Sequence, residues 1–185
     1  MLVYIHGFNS SGRSAKGRML VDYFAVADRL DEVWCPDLPH RPAQAMAMLE
    51  ERLAHHAPAD IRLVGSSLGG FYATVLAERM GVRAALVNPA VHPARLLEAA
   101  LGEQQNYHSG ERYAFTRDHL RELAALEPSP LQHPERLLLL VETGDEVLDY
   151  REALAYYDAC RQIVVPGGDH GFRSFARYIP EIMTF

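Results

Sequence analysis

With 185 residues, 49 % of them hydrophobic and 23 % charged, the chain has the size and composition of one soluble globular domain that buries its own core. A formal net charge of −6 argues against a nucleic-acid-binding surface, which needs a concentrated basic face. The only cysteines, Cys35 and Cys160, stand far apart outside any CxxC pattern, which argues against a disulfide framework and a cysteine zinc site.

The chain opens on LVYI (2–5), a short apolar run predicted as a strand. AKGRMLVDYFAVADRL (15–30) then spaces its apolar residues as a helix does, and EVWCPDL (32–38) is the next strand. A helix over AQAMAMLEERLAHH (43–56) leads to the strand IRLVG (61–65) and the helix FYATVLAERMG (71–81), with Gly81 where a helix C-terminal glycine belongs. Further strands are AALVNPA (84–90), RLLLLVET (136–143) and CRQIVVPG (160–167). Several runs are apolar at consecutive positions, the pattern of strands covered by helices on both faces. Strand–helix–strand repetition predicts an α/β fold with a mostly parallel sheet of about six strands and right-handed crossovers. One connection, about 91–135, exceeds the usual crossover length. It carries two predicted helices, HPARLLEAALG (92–102) and TRDHLRELAAL (116–126), around EQQNYHSGERYAF, and is expected to form a small helical lid within a single domain spanning 1–185.

LVGSSLGGFYATVLAE holds G-x-S-x-G as Gly65-Ser66-Ser67-Leu68-Gly69, between a strand pattern and a helix pattern. That context is the one in which a serine nucleophile sits on a sharp turn, with glycines two positions away on either side relieving the crowding. Only Ser67 has glycine at both −2 and +2; Ser66 has Val64 and Leu68 there. A serine hydroxyl needs a base, and the base an orienting acid, each placed beyond a later strand in the order Ser, acid, His. Asp145 follows an apolar strand and a glycine, and His170 lies in a glycine-rich loop past the last strand. Asp149 is a rival acid, but Asp145 is nearer the strand end, where the backbone is best fixed. Asp169, adjacent to His170, reads as a loop-shaping residue. The backbone N–H groups of Leu68, directly after the nucleophile, and of Phe8, in the loop HGFNSSG after the first strand, are the candidate oxyanion-hole donors. His6 reads as a residue organising that loop, and Ser10 and Ser11 as turn formers.

The strings YIHGFNSS, GSSLGGFYA, NPAV, TGDEVLDY and GGDHGF together resemble the YqiA-like esterase family of the α/β-hydrolase superfamily over nearly the whole chain. The resemblance implies a compact α/β-hydrolase fold and a carboxylesterase activity on acyl esters, with acyl-CoA thioesters among the substrates. Position by position it implies Ser67 as nucleophile, Asp145 as acid, His170 as base, and Phe8 and Leu68 as oxyanion-hole donors. The alternatives are a hydrolase-fold protein that binds a small ligand without turnover, and an amidase or lactonase using the same three residues.

Neither glycine loop meets the phosphate-loop or dinucleotide fingerprint, and no cofactor is expected. Asp37 with His40, or Asp169 with His170, lack further ligands to complete a metal site, so none is expected. Arg13, Lys16 and Arg18 at the start of a helix read first as a solvated basic run, and secondarily as an attractor for an anionic substrate such as a CoA phosphate. Leu96, Leu97, Leu101, Tyr107, Tyr113 and Phe115 either line an acyl pocket or form the lid's own packing face, which their spacing favours. No apolar run reaches the roughly 20 residues of a membrane helix, and MLVYIHG lacks the charged and apolar regions of a signal peptide. The expectation is a cytoplasmic protein acting on a small-molecule substrate.

Overall fold

In a computed structural model, which describes residues 1–128 and 130–185, the six apolar runs become β1 (Leu2–Ile5), β2 (Val33–Trp34), β3 (Arg62–Ser66), β4 (Arg83–Val87), β7 (Leu137–Glu142) and β8 (Arg161–Val165). Between β4 and β7 lie two further strands, β5 (Gly102–Gln105) and β6 (Arg112–Phe115). The helices are α1 (Ala15–Val26), α2 (Pro42–Leu53), α3 (Leu68–Met80), α4 (Pro93–Leu96), α5 (Arg117–Leu126), α6 (Tyr150–Tyr156) and α7 (Phe175–Thr184). The main sheet runs β2-β1-β3-β4-β7-β8, every neighbouring pair parallel.

Successive strand residues face opposite sides of the sheet, and here both sides are buried, which explains the unbroken apolar runs. Val3, Ile5, Leu63, Leu86 and Leu139 pack with residues of α2, α3 and α5. Their neighbours Leu2, Tyr4, Val64, Val87 and Leu140 pack with Leu20 and Phe24 of α1 and with Phe175 and Ile179 of α7. β2 is shorter than predicted; Pro36, inside the predicted run, has no N–H to donate to a ladder. β4 stops at Val87 because Asn88, at φ 40°, turns the chain away. α1 ends at Val26 as Asp28, at φ 55°, breaks the helix. Gly81 closes α3 at φ 71°, its N–H donating to Ala77 O at 2.9 Å.

The long connection differs from its prediction. The helix expected over 92–102 is only the single turn α4 followed by a 3₁₀ turn, Leu97–Ala100, and Gly102 at φ 118° ends it. The intervening stretch forms an antiparallel hairpin, with Gly102 opposite Phe115 and Gln105 opposite Arg112. α5 forms as expected, opened by a capping box between Thr116 and His119. Among the described residues, no helix is long and apolar enough to cross a membrane.

Candidate active site

The chain leaves β1 for β2 on one side and returns to β3 on the other, so the sheet order reverses there. The loops after β1 and β3 therefore part and open a crevice at the carboxyl ends of the strands. One of these loops carries Phe8 and the other Ser67.

Ser67 joins β3 directly to α3 with φ 55° and ψ −122°, in the left-handed region that costs a residue with a Cβ. The turn is held from both sides: Ser67 N–H donates to Val87 O at 3.0 Å, while Ser67 O accepts from the N–H groups of Gly70 at 2.9 Å and Ala90 at 3.0 Å. The flanking glycines are sterically required. A Cβ on Gly65 would stand 2.2 Å from Gly69 O, and one on Gly69 would stand 2.0 Å from Ile5 O.

The structure brings Ser67, His170 and Asp145 into one hydrogen-bonded line. Ser67 Oγ lies 3.1 Å from His170 Nε2, and His170 Nδ1 lies 2.8 and 3.0 Å from the two Asp145 carboxylate oxygens. The Asp145 side chain is 2 % exposed and that of His170 is 24 % exposed. Burial pushes the Asp145 carboxyl up, but hydrogen bonds from His170 and from the N–H groups of Leu148 and Val147 outweigh it and hold the group below its ordinary value. An ionised Asp145 accepts from Nδ1–H, which leaves Nε2 to accept from the serine hydroxyl. The rival carboxylates are engaged elsewhere. Asp149 caps α6, accepting from Arg151 N–H at 3.0 Å. Asp169 pairs with Arg173, as befits a loop-shaping residue.

Two residues without a sequence motif brace the His170 loop. Asn88 Nδ2 donates to the carbonyls of Asp169 and His170 at 3.1 and 3.2 Å, and Asn88 Oδ1 accepts from Glu142 N–H at 2.9 Å. Glu142, 1 % exposed, accepts from Asp169 N–H at 2.9 Å and from the Ser174 hydroxyl at 2.5 Å. The available signal was a polar side chain closing each of two otherwise apolar strands.

Phe8 and Leu68 border the same cavity as Ser67, and among the described residues neither N–H has a hydrogen-bond acceptor. The Phe8 loop is held by His6, whose Nε2 accepts from Leu38 N–H at 2.9 Å and whose Nδ1–H therefore donates to Gly7 O at 2.8 Å. Burial pushes the His6 pKa down, favouring that neutral form. The hairpin adds outside support: Tyr113 Oη donates to Asn9 Oδ1 at 2.6 Å, Asn9 Nδ2 donates to Gln104 Oε1 at 2.9 Å, and Phe115 meets Phe8 edge-on.

The cavity measures about 620 Å³. Its apolar wall is Phe8, Pro93, Leu96, Leu97, Val147 and Leu148, with Tyr107 at the rim. Leu101, Tyr113 and Phe115 do not line it; Phe115 belongs to the core. The basic run divides. Arg13 is solvated, its side chain 80 % exposed, as expected, but Lys16 is only 8 % exposed and lines the cavity with Tyr4, Ser14 and Ser66.

A parallel sheet with a serine on a strained strand-to-helix turn, faced by a histidine and an aspartate from later strand ends, is the architecture of the α/β-hydrolase fold. Solved structures agree: mouse alpha/beta hydrolase domain-containing protein 10 matches with a TM-score of 0.70 at 17 % identity, over 99 % of this chain and 86 % of that one. A monoacylglycerol lipase from Paleococcus ferrophilus matches at 0.70 and 14 % identity, over 99 % and 93 %. More specifically, the chain matches the family described as "Uncharacterised protein family (UPF0227)" over residues 1–185 and belongs to it, the family its motifs resemble. A UPF0227 protein of Shewanella baltica is 22 % identical over 190 residues, covering 100 % of this chain and 98 % of the relative.

Proposed function

We propose that the protein is a serine hydrolase that cleaves carboxylic acyl esters, with acyl-CoA thioesters open to the same chemistry, through an acyl-enzyme on Ser67. The observation that carries this reading is the line Ser67 Oγ–His170–Asp145 beside two N–H donors that have no acceptor among the described residues. In the first step Ser67 Oγ attacks the carbonyl carbon as its proton passes to His170 Nε2. Asp145 holds the ring's tautomer and stabilises the imidazolium, and the N–H groups of Phe8 and Leu68 receive the oxyanion. Collapse of the tetrahedral species breaks the bond to the leaving alcohol or thiol, which takes the proton from His170. Water then gives a proton to His170 while its oxygen attacks the acyl carbon, and the proton returns to Ser67 as the acid departs. The apolar wall suits an acyl chain, and a fold neighbour named a monoacylglycerol lipase adds support.

The test is hydrolysis of p-nitrophenyl esters from acetate to palmitate, with Ser67→Ala alongside. Turnover is expected in the wild type and not in the variant, and a fluorophosphonate should label Ser67 alone. A wild-type serine that neither labels nor turns over any ester would leave a binding protein as the better description.

A further inference from the structure

Lys16 is the only lysine in the chain; all its other basic residues counted with lysine are arginines. Arginines make the surface ion pairs, such as Arg41 with Glu122 and Arg95 with Glu152. Lys16 does neither of the ordinary things for a cation. It is 8 % exposed, it has no ion pair or hydrogen bond from its ammonium among the described residues, and it faces the cavity that also holds Ser67 and His170. A buried cation without a partner is costly, and folds retain one where it meets a ligand. Burial pushes its pKa down to about 8, against the opposing pull of Asp169, Glu142 and Asp145, so the ammonium form prevails at neutral pH. None of those three carboxylates is hydrogen-bonded to it among the described residues. Asp145 is taken by His170, Glu142 by Asp169 N–H and Ser174, and one oxygen of Asp169 by Arg173, while the other, Oδ1, is buried without a hydrogen-bond partner.

The cavity wall beside Lys16 also carries donors. The 12-residue helix α1 begins at this cavity, where Ser14 and Ala15 form part of the lining. Its N-cap Ser14 makes no capping bond to the first-turn N–H groups; the hydroxyl pairs instead with Tyr4 Oη at 2.9 Å. A helix start with unspent N–H groups, an unpaired ammonium and two hydroxyls in one cavity make a receptor for an anion. A compact ammonium suits a site this enclosed better than a guanidinium.

We propose that the substrate is an ester or thioester bearing a second, anionic group, a carboxylate or phosphate, which Lys16 Nζ and the start of α1 bind while Ser67 takes the acyl carbon. This deepens the hydrolase reading and rests on it for the role of Ser67, but not for the anion site itself. A dicarboxylic half-ester would bring the charge on its acyl half, and a phosphorylated alcohol would bring it on the leaving group.

One lysine means one side-chain ammonium signal, so Nζ-labelled [¹⁵N]lysine reports on Lys16 alone. Adipate and glycerol 1-phosphate, titrated separately into the wild-type protein, distinguish the two sources of charge. A saturable movement of the lysine signal with either is expected, and indifference to both overturns the anion site. In parallel, kcat/KM is measured for monomethyl adipate against methyl hexanoate, and for 2-(butanoyloxy)ethyl phosphate against ethyl butanoate. The anionic member of one pair should be preferred, and Lys16→Met should lower that ratio at least tenfold; taking a ratio within each variant cancels any general damage. Preference absent in the wild type, or unchanged in Lys16→Met, refutes the proposal while leaving ester hydrolysis intact. A lysine signal that responds in a protein hydrolysing no ester supports the anion site and removes the hydrolase reading instead.

Discussion

Replacing Lys16 with methionine should stabilise the protein while removing its anion site. A lysine that titrates at 10.5 in the unfolded chain and at about 8 in the folded one holds its proton less tightly after folding by about 3 kcal/mol. The cause is burial, only partly offset by Asp169, Glu142 and Asp145. Methionine keeps most of the apolar stem and discards the charge, so packing changes little. The sign follows from proton counting. Below pH 8 both states are protonated and the full cost is present. Between 8 and 10.5 the folded state has shed a proton that the unfolded state keeps, so the wild type gains stability as pH rises. The Lys16→Met advantage is therefore up to about 3 kcal/mol at pH 7, or roughly 6–12 °C in Tm for a protein of this size, and shrinks toward zero by about pH 10. Urea melts of both proteins at the two pH values measure it. A variant less stable than the wild type at pH 7, or a gap that does not change with pH, would refute the claim that Lys16 is a buried, unpaired cation.

The acid assignment separates by kinetics: Asp145→Asn should lower kcat on the order of 10⁴-fold. Asp149→Asn should leave kcat near that of the wild type, because Asp149 caps α6 and asparagine caps almost as well. Gly65→Ala forces a Cβ to within 2.2 Å of Gly69 O, so the Ser67 turn cannot close and fluorophosphonate labelling should be lost; labelling at the wild-type rate would show that the turn tolerates the methyl. Glu142→Ala strands the N–H groups of Asp169 and Ser174 and the Ser174 hydroxyl, costing on the order of 3 kcal/mol in a chemical melt. Because those groups hold the His170 loop, kcat should fall more than KM rises. Equal effects on both would mean that Glu142 serves the fold and not the position of His170.

The parts of this molecule legible in its sequence are those fixed by short-range sterics or by sheet order. Ser67 is singled out from Ser66 by two glycines, and the structure supplies the reason, since neither position has room for a Cβ. Asp145 and His170 are found because parallel strands deliver their following loops to one edge, whatever the loops contain. The hairpin β5/β6 escapes such reasoning. GEQQ has no apolar alternation, and the strand is held partly by Asn9 reaching Gln104 across 95 residues of chain. Asn88 and Glu142 are likewise long-range partners, joined across 54 residues.

Lys16 is the instructive failure. In the first turn of a helix with Arg13 and Arg18 nearby, spacing reads it as solvated, and for both arginines the structure agrees. The lysine lies in a cavity lined by Tyr4, Ser66 and His170, residues from segments far apart in the chain, which no local pattern brings together. Composition did hold a signal, though of a different kind. A chain that meets its needs for surface cations with arginine alone has no surface reason for a lone lysine, whose smaller, titratable head group matters only where space and solvation are scarce. The rarity of a residue type within one chain thus pointed to an enclosed position that periodicity could not locate, and the cavity beside Ser67 is where that position lies.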